Sequence, residues 1–68
     1  MFTQGQMVRV NLAGMEVKGV LFHAAVTDAV GNIVRQTKEE PPMFLVKLLF
    51  SFKGVSEVDV PADRIRAA

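Results

Sequence analysis

The sequence predicts an all-β fold, and three observations carry that prediction. Valine is the commonest residue, 11 of 68, and with 5 phenylalanines it fills the apolar stretches with side chains that suit a pleated surface better than a helix. Two segments, residues 6–12 and 43–53, place apolar side chains at every second position, the period of a strand. Gly14, Gly31, the pair Pro41-Pro42 and Gly54 punctuate the chain and leave segments of strand length between them.

The elements follow in order. In residues 6–12, Val8, Val10 and Leu12 share one face and Met7, Arg9 and Asn11 the other, and Ala13-Gly14 supplies a turn. Residues 15–26 read as one long strand, with Val17, Gly19 and Leu21 opposed to Glu16, Lys18, Val20 and Phe22. A glycine inside a strand marks a bulge or sharp bend, so Gly19 is expected to bend this strand between two sheets. Residues 27–32 read as a turn and 32–37 as a short strand. The competing reading there is α+β, with a helix around residues 28–38, since Val30, Ile33, Val34 and Thr37 fit helical spacing. Gly31 and Asn32 would cost that helix about 1–2 kcal/mol relative to alanine.

Lys38-Glu39-Glu40 is the most polar stretch, and the prolines after it demand extended backbone. Residues 43–53 form the expected core strand, with Phe44, Val46, Leu48, Phe50 and Phe52 on one face. A three-residue loop at 53–55 would pair Phe50 with Val58 and Phe52 with Ser56. A two-residue loop would set Glu57 and Asp59 among the phenylalanines, which their desolvation opposes. Residues 61–65 are expected to make one helical turn, opened by Pro61, with Ile65 plugging the end of a barrel.

Composition narrows the function classes. Half of the residues are apolar and 22% are charged, which excludes intrinsic disorder. A net charge of +1 supplies little long-range attraction to phosphates and argues against a strongly basic nucleic-acid binder. With no cysteine and the single histidine His23, neither a disulfide framework nor a zinc-type ligand spacing is present, and no metal or cofactor is implied. Residues 1–5 carry neither the basic region nor the apolar region of a secretory signal. The longest apolar run, broken at Lys47, is too short to span a bilayer. A cytoplasmic chain forming a single domain over residues 1–68, without membrane association, is the expectation. A domain this short hides only about 60% of its unfolded surface. A chain with so much apolar surface is expected to bury the remainder against copies of itself, as a dimer or tetramer.

Five short strands, a bent second strand, a tight last hairpin and a terminal helical turn together resemble an SH3-like small barrel. Gly5, Val8, Val10, Gly14, Gly19 and Val20 stand where KOW-type barrels of ribosomal and transcription-elongation proteins carry their glycines and strand valines. The type II (plasmid-borne) dihydrofolate reductases are similar in this barrel, in a like opening, and in a tail matching Arg64-Ile65. Their active-site segment, Val-Gln-Ile-Tyr, is replaced here by Ser56-Glu57-Val58-Asp59-Val60, so folate reduction by the same constellation is not expected. Without tryptophan or tyrosine the chain also lacks the aromatic groove with which signalling SH3 domains hold proline-rich helices.

Three functions follow as expectations. The first is a homo-oligomeric binding module whose ligand or partner sits at a subunit interface or in a symmetric pore. Its interface would be the outer face of the core strand, Met43, Leu45 and Leu49 with Phe22 nearby, interrupted by Lys47, which would pair with Asp59. The second is a KOW-like nucleic-acid accessory domain, with Arg9, Lys18, Arg35 and Lys38 as its basic patch and Phe2 as the spare aromatic. The third is a pore enzyme whose site is assembled by symmetry, with His23 as a ligand contact or general base, since imidazole titrates near neutral pH.

Overall fold

The computed structural model describes residues 2–68. Met1, which enters the reading of the N-terminal segment, lies outside them. The chain is all-β: β1 (Met7–Val10), β2 (Glu16–Val17), β3 (Val20–Leu21), β4 (Ala29–Glu39), β5 (Pro42–Phe52), β6 (Val55–Pro61), a 3₁₀ turn (Ala62–Arg64) and β7 (Ile65–Ala67). Five strands form one antiparallel sheet in the order β6-β5-β4-β1-β7, and β2 pairs with β3 as a separate small ribbon. No pairing joins β6 to β7, so the sheet is open and the hydrogen-bonded ring of a closed barrel is absent among the described residues.

A sheet with no covering helix must bury its apolar face against itself. Val8 and Val10 of β1, Ile33 of β4, Phe44, Val46 and Leu48 of β5, Val55, Val58 and Val60 of β6, and Ile65 of β7 belong to one core. Leu12 and Phe22, from the segment between β1 and β4, complete it. Side chains from both edge strands meet there, so the sheet curls over its own inner face.

The curl depends on bulges in the long strands. In β4 the pairing slips at Val34, between Ile33↔Val46 and Arg35↔Leu45, and again at Thr37. The helical spacing of Val30, Ile33, Val34 and Thr37 marks no buried stripe, since only Ile33 is buried and the other three are half-buried. The competing helix at 28–38 is replaced by strand from Ala29 onward, and the turn read at 27–32 gives way to that strand, the local turn lying earlier, where the Val26 N–H donates to the His23 carbonyl.

Two further expectations are corrected. Residues 15–26 are not one bent strand. Lys18 (φ 51°) and Gly19 (φ 78°) are both left-handed and close a two-residue hairpin between β2 and β3, the conformation of a type I′ turn. At the other end, Lys53 (φ 50°) and Gly54 (φ 83°) make the same two-residue turn, setting Phe52 opposite Val55 in place of the three-residue loop. Continued without a break, that register would carry Glu57 and Asp59 inside. The conflict is resolved between Lys47↔Glu57 and Phe52↔Val55, where residues 48–51 of β5 stand against Ser56 alone. The surplus is three residues, an odd number, so it flips the faces and returns Val58 and Val60 to the core. The bulge also expels Phe50. Expected among the core phenylalanines, it is 80% exposed.

Candidate functional site

The bulge of β5 shapes an apolar recess on the surface. An apolar groove of about 430 Å³ lies between the 48–52 end of β5 and the 22–30 segment leading into β4. Leu12, Phe22, Val26 and Leu48 line it, with Leu49 and Phe50 beside them. Phe22 and Phe52 meet edge to face, with ring centroids 5.1 Å apart. The polar lining comes from Asp28 and Ser51. Asp28 is committed to an ion pair with Arg66 of β7. That pair has a local cause: Arg66 lies directly opposite Arg9 across β1–β7, and the carboxylate offsets two like charges on one rung.

The expected interface is divided by the structure. Phe22 is 1% exposed and belongs to the chain's own core, so it is no exposed interface residue and contributes only to the lining of the groove. Met43 and Leu45 are half-buried on the outer face, Leu45 between Arg35 and Asp59 in the cross-strand register. Lys47 is exposed and stands opposite Glu57, not Asp59; the Asp59 carboxylate accepts instead from the Thr37 hydroxyl at 2.6 Å. Leu49, 54% exposed, is the member of the set that joins the groove. Leu21 and Met7 are the other large exposed apolar side chains, and neither lines it.

The candidate basic residues are not brought together. Arg9 lies on β1 opposite Val30, itself a groove residue. Lys18 occupies the β2–β3 turn, while Arg35 and Lys38 sit on the far half of β4, opposite Leu45 and Met43. Five positions separate Arg35 from Val30, roughly 15 Å at about 3.3 Å per residue. His23 is exposed, and its Nδ1 accepts a hydrogen bond from the Ala25 backbone N–H at 3.0 Å, which serves the local turn. Phe2 is not a spare aromatic: it is half-buried and packs edge to face on Phe44 at 5.5 Å.

Among the described residues no group of three or more histidine, aspartate or glutamate side chains is placed to hold a metal ion, and no helix is long and apolar enough to cross a membrane. The residue that sequence reasoning missed is Phe50. Its position in the alternation assigned it to the core, and the only warning was Ser51, a polar residue between two phenylalanines. No family model matches the chain, and neither a curated protein nor a solved structure matches it.

Proposed function

We propose that this chain is a small SH3-like binding module that works as a homo-oligomer, with its contact surface at the bulged end of β5. The SH3-like reading is supported by the strand order β6-β5-β4-β1-β7, by the long excursion with its β2–β3 ribbon between β1 and β4, and by the 3₁₀ turn before β7. The observation that carries the functional reading is the pairing of Leu49 and Phe50, both more than half exposed, with an apolar groove on the same surface. Exposed apolar area of this kind marks interaction surfaces in soluble proteins. The rest of the outer face is less suited to it, because Arg35, Lys47, Glu57 and Asp59 interleave with Leu45 and Met43.

Light scattering behind a sizing column tests the reading. The expected mass is twice or four times that of one chain. A monomer at the highest soluble concentration would overturn it.

A second reading, a nucleic-acid accessory domain, is favoured by the same exposed ring, since small barrels that hold single strands stack bases on aromatic side chains. It requires binding to a single-stranded oligonucleotide that weakens steeply with salt and is lost in an Arg9→Ala/Lys18→Ala variant. Absence of binding at low salt disposes of it.

A further inference from the structure

We infer that the groove seats Phe50 of a second copy, so that two chains exchange this ring in a symmetric dimer; the inference rests on the self-association proposed above and names its contact. The first argument is geometric. The surplus in β5 pushes Phe50 out to the wall of the groove, yet leaves it 80% exposed, so a chain does not cover its own ring. Projection and recess therefore lie side by side on one surface. That arrangement is self-complementary about a two-fold axis, where each partner gives and receives the same group.

The second argument is capacity and chemistry. A cavity of about 150 Å³ lined by aliphatic and aromatic side chains is enough for a benzene ring. The groove holds about 430 Å³ and has Leu12, Val26, Leu48 and the partly exposed Phe52 in its lining, so an incoming ring finds room and an apolar wall to meet. The third argument is charge. The one charged lining residue, Asp28, is paired with Arg66, and the chain's net charge is +1, so two copies approach without strong repulsion. A strongly acidic or basic partner would meet no field of one sign. A stable contact of standard size buries about 800 Å² per partner, roughly a fifth of the 4321 Å² that one chain exposes, so the ring exchange would be the centre of a wider contact.

Two variants, tested alone and then mixed, examine the exchange. Phe50→Ser removes the projection and Ala29→Trp fills the recess, and each is expected to raise the dimer dissociation constant at least tenfold in sedimentation equilibrium. Mixed in equal amounts, they retain one ring-and-groove pair, because the Phe50→Ser chain loses one wall of its groove but keeps Phe22, Val26, Leu48 and Phe52 in its lining, and the Ala29→Trp chain still offers Phe50. A heterodimer tighter than either homodimer is the expected result. A third variant guards against misfolding in Ala29→Trp: Phe50→Trp places the only indole of a tryptophan-free chain at this position. Its emission should be blue-shifted in the dimer and move to longer wavelength on dilution. A wild-type dimer that survives Phe50→Ser, or an indole that stays solvent-exposed in the dimer, overturns the exchange while leaving self-association through another face. A wild-type monomer overturns both.

Discussion

Gly31 approaches β5 so closely that a Cβ on it would lie 2.5 Å from the Lys47 carbonyl oxygen and 2.8 Å from Val46 Cγ1. Its backbone is ordinary for a strand, so the demand is for space and not for an unusual φ. The carbonyl belongs to the central β4–β5 pairing and cannot swing aside as a side-chain tip would. Gly31→Ala should therefore lower stability by about 1–3 kcal/mol, the range of overpacked cores, seen as a lower urea midpoint. Two arginines make a second contrast. The Arg64 guanidinium donates from Nη1 to the Asn11 and Ala13 carbonyls, at 3.0 and 3.2 Å, tying the 3₁₀ turn to the end of β1. Arg66 and its partner Asp28 are both largely exposed. Arg64→Ala should cost about 1.5 kcal/mol, at the low end for hydrogen bonds from a charged group, and Arg66→Ala less than about 1 kcal/mol, as for surface ion pairs. Equal losses in urea titrations would contradict that ordering. Neither role was legible in the sequence: Gly31 reads as turn punctuation, and nothing local distinguishes a bracing arginine from a solvated one.

At the scale of the element, both short hairpins use lysine where a left-handed residue is required. An L-residue with a Cβ pays about 1–2 kcal/mol in that region, less for asparagine. Lys18→Asn and Lys53→Asn should each raise the thermal midpoint, by a stability gain below about 1 kcal/mol. An unchanged midpoint in both would mean that the two turns relax without cost. The strands themselves show what periodicity can and cannot report. Residues 43–48 alternate cleanly, and Phe44, Val46 and Leu48 are inside as the alternation requires. The pattern then runs on through Phe50 and Phe52, but the two-residue turn and the need to keep Glu57 and Asp59 outside are incompatible with a straight register. The bulge settles the conflict, and Phe50 is the residue displaced. In β4, two single-residue slips, at Val34 and Thr37, break the alternation in the same way. An alternation cannot announce where it will be broken, because the break is set by the partner strand.

At the scale of the whole molecule, a chain of 68 residues with half its composition apolar has little margin, and a partner copy adds stability by mass action. The thermal midpoint of the wild-type chain should rise with protein concentration. In Phe50→Ser that dependence should vanish, while the midpoint at high dilution stays within a degree or two of wild type, because an exposed ring contributes little to its own chain. A concentration-independent midpoint in the wild type would place the Leu49–Phe50 surface outside any self-contact. The groove was beyond the reach of the sequence for a physical reason. Its walls come from residues 12, 22–30 and 48–52, which meet only once the sheet has curled.

The sequence by itself determined that this chain is β, that alternating valines with Phe44 and Leu48 face its core, and that a turn of helix follows Pro61, since those follow from side-chain shape and from period over a few neighbours. Tertiary structure alone decided that residues 29–38 are strand, that Phe22 is inside and Phe50 outside, and that the sheet stays open between β6 and β7. Each of those depends on which strand lies alongside and on which charged residues must remain in water, and a single stretch of chain carries neither.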